Sequence, residues 1–271
     1  MDWLVALLLG IVQGVTEWLP LSSSGHLALA QIYLGEVSVA YDVVLHLATV
    51  AVACIYLRKD IAAIIADWLA GVGEAFGAED RKEALFGRKE RLWGWLILLA
   101  SVPTAIIGYA IDRHLGGGDF TSLAIIGAGF VATGFFLAAT KLARPRGGRI
   151  GAGGALAIGT AQGASVLSSL SRSGLTIGTG IFLGASLEDA AKFSFLALIP
   201  ATLGAAVLKL GEIGHIASAD LAPAALGALA AALVGYACLE AMMRVVRRGG
   251  LHWFAPYCLA LGVGVLSWSL L

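Results

Sequence analysis

Charge is what this sequence has least of. Only 13% of its 271 residues are Asp, Glu, Lys or Arg, about half the share found in a soluble domain, roughly 25%. The eighteen cations and eighteen anions cancel, so the net charge does not argue for nucleic acid and none is expected as a partner. Cysteine is scarce too: Cys54, Cys238 and Cys258 stand singly in apolar runs. That placement lacks disulfide or metal-ligand spacing and suits core packing. The first ten residues lack the basic start of a cleavable signal peptide, and none is expected. The apolar segments do not alternate as barrel strands of roughly ten residues would. What remains is 59% hydrophobic, with a mean hydropathy of +0.87, in runs approaching the ~20 residues of a spanning helix. The chain reads as an all-α polytopic membrane protein with a single membrane domain over residues 1–271.

Residues 10–35, GIVQGVTEWLPLSSSGHLALAQIYLG, break that pattern. Gln13, Glu17, three serines and His26 sit in a stretch otherwise apolar enough for a bilayer. An ionisable group at that depth costs roughly 3 kcal/mol on insertion scales and marks a functional site by default. Residues 2–19 and 26–34 are each too short to span, and Pro20 with the Ser-Ser-Ser-Gly run lies between them. Together they predict a re-entrant helix–loop–helix hairpin over 2–35, with helix N-termini near His26 and, in a second such segment, near Leu175. Spans are expected over 41–57, 92–111, 121–142, 193–210, 221–243 and 253–271, about six in all. An interfacial helix is expected over 61–76, with an acid every seventh residue, and a polar loop over 77–91.

Seven of the eighteen Lys and Arg residues lie in 58–91, four in 141–149 and three in 244–248. The positive-inside rule makes those loops cytoplasmic and the loops around 112–119 and 211–220 external. The hairpin over 2–35 then enters from outside. A second pair of short segments, over 150–187, enters from inside. A shift of 149 residues lays GTAQGASVLSSLSRSGLTIGTGIFLG over the first stretch with ten of 26 positions identical, Gln13/Gln162, Ser22/Ser171, Ser24/Ser173 and Gly25/Gly174 among them. Residues 1–142 and 150–271 therefore read as an inverted-topology repeat with two opposed re-entrant hairpins, a pattern that places a binding site near the midplane.

The two tips carry different chemistry. Gln13 and Glu17 are four apart on one helix face, while Arg172 stands where the first copy has Ser23. Two helix N-termini and a guanidinium fork suit an anion, phosphate above all. Glu17 with Gln13 suits Mg²⁺ completed by a diphosphate. His26 could serve as acid or base toward a serine or water, and Ser23 as a nucleophile. Plainer readings remain for each residue: a structural Glu17–Arg172 pair, serines as caps or helix glue, and a buried histidine at 26. His46, one turn from Asp42, reads as a core or bundle contact. His114, His215 and His252 fall at loops or span ends and carry no signal, and the Trp residues mostly flank span ends.

QGVTEWLPLSSSGHL (13–27) and SLSRSGLT (169–176), with YDVVLHLATVAV (41–52) and KFSFLALIPA (192–201), resemble the undecaprenyl-diphosphate phosphatase family of the bacitracin-resistance type. The resemblance covers essentially the whole chain. It implies hydrolysis of a polyprenyl diphosphate to the monophosphate and phosphate, recycling a lipid carrier in the plasma membrane. It also implies an externally opening site and a divalent cation, Mg²⁺ or Ca²⁺. Carried onto this sequence, Gln13 and Glu17 hold the metal. Glu17, Ser22, Ser23, His26 and Arg172 are catalytic. Ser24, Gly25, Ser171, Arg172, Ser173 and Thr176 bind phosphate. The partners expected are the polyprenyl diphosphate and membrane lipids, with a homodimer left open. Two departures bear on rate or lipid preference: Ser168-Ser169 replaces Pro-Gly, and Tyr257-Cys258 replaces Tyr-Arg. The alternative is a polyprenyl-phosphate flippase or anion transporter without hydrolysis, since broken helices in inverted repeats also mark transporters. An intramembrane serine protease is weaker, because it leaves Arg172 without a task.

Overall fold

The computed structural model describes residues 1–35, 37–115, 122–167, 169–209, 211 and 217–270. Among the described residues twelve α-helices follow in order. They are α1 (Trp3–Trp18), α2 (Ser23–Leu34), α3 (Val39–Tyr56), α4 (Arg58–Glu74), α5 (Arg81–Phe86) and α6 (Lys89–Leu115), then α7 (Leu123–Ala139), α8 (Ala152–Ala164), α9 (Arg172–Phe182), α10 (Leu187–Leu208), α11 (Leu221–Arg247) and α12 (Ala255–Trp268). Among the described residues 6 helices are long and apolar enough to cross a membrane: α3, α6, α7, α10, α11 and α12 with their flanks. The all-α multi-span expectation holds. Ser168, His215 and half of each loop over 112–119 and 211–220 lie outside the described residues.

Several boundaries differ from the sequence expectation. The second helix of each short pair starts at Ser23 and Arg172, three residues before His26 and Leu175. The stretch over 77–91 is not simply a loop. It holds α5, capped by Asp80, whose carboxylate accepts from Lys82 N and Glu83 N at 2.9 and 3.1 Å. Helix α6 then starts at Lys89 and runs through Leu115 with Pro103 inside. The acids of α4 face other helices. Asp60 takes Lys192 at 3.0 Å, Asp67 takes Arg91 at 3.3 Å, and Glu74 takes Arg91 at 2.7 Å. The hydrogen bond from Arg91 holds the Glu74 carboxyl below its usual range.

Packing exchanges partners between the halves. Helix α1 lies along α11, and α8 lies along α6; α3 packs on α11 and α10 packs on α6; α3 meets α10, and α7 meets α12. Lipid tails are as apolar as leucine, so such contacts rest on close approach rather than on leaving water. Small residues supply it. A Cβ at Gly10 would strike the Gly227 backbone, and one at Gly159, its counterpart 149 residues on, would strike the Ala100 backbone. Trp18, Phe193, Phe195, Leu137, Ile158 and Ile177 fill the space between the short helices and the long ones.

Candidate active site

Both short pairs turn on a serine. The Ser22 hydroxyl accepts from Gly25 N at 3.2 Å, and the Ser171 hydroxyl accepts from Gly174 N at 3.1 Å. Each takes up one of the donors that a helix start leaves open. Ser22–Ser24 and Ser171–Ser173 hydroxyl pairs each lie at 3.4 Å. Gly35 and Gly184, again 149 apart, end these segments at φ 93° and 88°. The loops differ before the cap. Ser22 itself is held at φ 68°, whereas in the other copy the left-handed residue is Ser169 at φ 61°. Ser169 stands where the resembled family has glycine, the residue that takes this conformation without steric cost.

These caps bring the first residues of α2 and α9, Ser23 and Arg172, to one carboxylate. Ser23 Oγ donates to Glu17 Oε2 at 2.6 Å, and Arg172 Nη2 donates to Glu17 Oε1 at 2.5 Å. Gln13 Nε2 donates to Glu17 Oε2 at 3.1 Å, and His46 Nε2 lies 3.8 Å from the same oxygen. The Glu17 side chain is 5% exposed and that of Arg172 15%. Two atoms beside this carboxylate have no partner: Gln13 Oε1 and Arg172 Nη1. A buried unmet polar atom costs about 1–3 kcal/mol, more when charged. One is an acceptor and the other a cationic donor, so the pair could receive a cation at Gln13 and an anion at Arg172.

The donor set fits a hard divalent cation. Such ions take oxygen ligands, one or two carboxylates completed by substrate phosphates. Gln13 presents its amide oxygen free because its nitrogen is spent on Glu17; the flipped amide would set oxygen against oxygen. Among the described residues no group of three or more His, Cys, Asp or Glu gathers for a metal. A cation here would rest on Gln13, Glu17 and its ligand.

His26 is placed elsewhere than beside Ser23. Its Nδ1 lies 2.8 Å from Ser22 O and its Nε2 2.8 Å from Tyr257 OH. Nδ1 therefore donates to the carbonyl, and Nε2 accepts from the phenol. Phe130 meets the ring edge-on at 5.0 Å. The partner of the Ser23 hydroxyl is Glu17. Ser24 is exposed, and Gly25 packs against Phe130 and Ser169. Ser173 Oγ donates to Leu19 O at 3.2 Å and Ser171 N to Thr133 Oγ1 at 3.0 Å, tying the second tip to the first and to α7. Thr176 points away from the carboxylate, toward Ser194 Oγ at 2.5 Å and Arg172 O at 2.8 Å.

Four residues near the site carried no functional reading in sequence: His46, Tyr257, Thr133 and Ser194. His46 keeps its turn with Asp42 through the backbone carbonyl, 2.8 Å from Nδ1, which frees Nε2 for Glu17. Cys258, the departure from Tyr-Arg, is buried and donates its thiol to Pro20 O at 3.6 Å.

A family model described as "Bacitracin resistance protein BacA" matches residues 6–264. A Desulfosudis oleivorans protein named "Undecaprenyl-diphosphatase" is 42% identical over 99% of this chain and 98% of its own. Proteins of the same name from Geobacter sulfurreducens and Korarchaeum cryptofilum are each 37% identical, covering 99% and 97% of this chain and 98% and 97% of theirs.

Proposed function

The chain belongs to the bacitracin resistance protein BacA family, and from that premise we propose how it hydrolyses undecaprenyl diphosphate. The products are the monophosphate and inorganic phosphate, which returns the lipid carrier to cell-wall synthesis. One observation carries the site assignment: Arg172 reaches the buried Glu17 with Nη2 while its buried Nη1 has no partner. A phosphoryl oxygen supplies that partner.

In this reading the terminal phosphate lies over the starts of α2 and α9. Arg172 Nη1 and the N–H groups of those first turns bind its oxygens, stabilising charge where it develops. Ser23 is the nucleophile. As its oxygen bonds to phosphorus, its proton passes to Glu17 Oε2, 2.6 Å away, and the bridging P–O bond breaks to release the lipid monophosphate. Water then cleaves the phosphoserine and frees inorganic phosphate. Ser22 and His26 hold the Ser23 turn in shape, and Tyr257 holds His26. Mg²⁺ or Ca²⁺ bound at Gln13 Oε1 and Glu17 would neutralise the diphosphate.

The finer architecture belongs to the same proposal. Residues 1–142 and 150–271 form inverted repeats whose re-entrant hairpins, α1–α2 and α8–α9, meet tip to tip. The matched caps, the matched glycines at 35 and 184 and the exchanged packing support it. The charge pattern of the loops supports a site opening to the external face of the plasma membrane.

The test is phosphate release from a C55 polyprenyl diphosphate by purified protein in detergent. Glu17→Ala and Arg172→Ala are expected to abolish it, and release at the unmodified rate from both would refute the site. Lipid movement across proteoliposomes with no phosphate freed would favour a flippase instead.

A further inference from the structure

The linker between α7 and α8 carries unbalanced charge. No acidic residue occurs between Asp119 and Glu188, and Lys141, Arg144, Arg146 and Arg149 crowd into nine positions of that interval. The cation-rich segment over 58–91 has as many acids as bases, and much of its charge pairs off. Arg88 takes Asp67, Lys89 takes Asp189, and Arg91 takes Asp67 and Glu74. Arg244 and Arg247 take Glu240 and Glu188. No carboxylate among the described residues pairs with the four linker cations, all of which are exposed. The acids at the start of α10 are already engaged, Glu188 by Lys192 and Arg247 and Asp189 by Lys89.

This segment is pinned. The N–H groups of Arg146 and Gly148 both donate to Gly184 O, at 3.2 and 3.0 Å, and Gly148 bridges to Ala185. The cations are laid across the C-terminal end of α9, the helix that begins at Arg172. Beside them Leu142 is 81% exposed and Leu183 57%, apolar side chains flanking unpaired cations.

We propose that residues 141–149 bind anionic phospholipid headgroups of the leaflet they face, the cytoplasmic one by the positive-inside rule. Guanidinium forks match phosphodiester oxygens, and Leu142 and Leu183 reach the acyl boundary beneath. Setting membrane orientation alone would need the four charges but not their fixed seat on α9. Free phosphate would meet the same cations yet leave the two leucines unused. Each cation near an anionic surface contributes about fivefold in affinity.

The intact protein in nanodiscs of phosphatidylcholine, with or without phosphatidylglycerol, tests this. Phosphatidylglycerol is expected to raise the unfolding temperature and slow amide exchange at Arg146 and Gly148. Both effects should fade toward 1 M salt, where the screening length is roughly 3 Å. The variant K141Q/R144Q/R146Q/R149Q is expected to lose both, and R144K/R146K/R149K to keep most of each. Equal behaviour in the two lipids, or an undiminished effect in the glutamine variant, overturns the proposal. So does equal slowing by inorganic phosphate in phosphatidylcholine. Should the glutamine variant fail to insert, the salt series on the unmodified protein still decides: persistence at 1 M refutes the proposal.

Discussion

Removing Arg172 leaves a carboxylate stranded in protein, and the cost can be worked from its neighbours. Breaking a buried ion pair by deleting one partner typically costs about 3–5 kcal/mol. In Arg172→Met, Glu17 keeps the Ser23 hydroxyl at 2.6 Å, the Gln13 amide at 3.1 Å and His46 at 3.8 Å. Those neighbours place the expected loss at the low end, about 3 kcal/mol. Glu17→Gln retains a carbonyl for Ser23 but strands the guanidinium, whose side chain is 15% exposed; about 2 kcal/mol is expected. The double variant strands neither charge. Its loss should fall near 3 kcal/mol, short of the sum by about 2 kcal/mol, the coupling of a direct contact. Unfolding equilibria in mixed micelles measure all four proteins. Phosphate release cannot serve here, because every variant is expected to be inactive. Additivity within about 0.5 kcal/mol would refute the pairing and with it the assignment of Arg172 to the Glu17 site.

Ser23→Ala should cut phosphate release by roughly a thousandfold or more, and acid-quenched turnover should lack the phosphoserine expected of the unmodified protein. Release at the original rate would move the attack elsewhere. Tyr257→Phe removes the donor to His26 Nε2, for a loss of about 1 kcal/mol or some fivefold in kcat, and the ¹⁵N resonance of that nitrogen should shift; an unmoved resonance would contradict the contact. Gly10→Ala and Gly159→Ala drive a methyl into the Gly227 and Ala100 backbones. Each should cost about 2 kcal/mol or more, read as a lowered unfolding temperature, and a neutral outcome would show that the helices can part.

Much of this site was legible because repetition and polarity are written locally. Glu17 and the serine run stood out against an apolar background, and the 149-residue shift paired Ser22 with Ser171 before any geometry. The helix starts lie three residues earlier than the serine-rich cap pattern predicts, because Ser23 and Arg172 already belong to the first turn. Spacing pairs His46 with Asp42; that contact exists, but through a backbone carbonyl, and the ring's other nitrogen faces Glu17, 29 positions away. Tyr257 meets His26 across 231 positions, a distance no local pattern encodes. Thr176 shares a motif with Arg172, yet its hydroxyl is taken up by Ser194 of α10 and by the Arg172 carbonyl.

The exchanged seating of the short helices also sets an order in time. Helix α1 rests on α11, residues 221–247, so the first segment made is completed almost last. At ribosomal rates of 5–20 residues per second the delay is on the order of 10–40 s. Until residue 172 is made Gln13 and Glu17 lack Arg172, and until residue 227 is made Gly10 lacks its glycine seat, so a charged helix must wait in or beside the bilayer. The second short pair waits less, since α6 already exists when α8 is made and α10, on which α9 packs, is the next helix to follow. Insertion machinery or lipid that shelters the nascent α1–α2 pair is therefore expected to govern yield, because the segment that carries Glu17 waits longest for its partners.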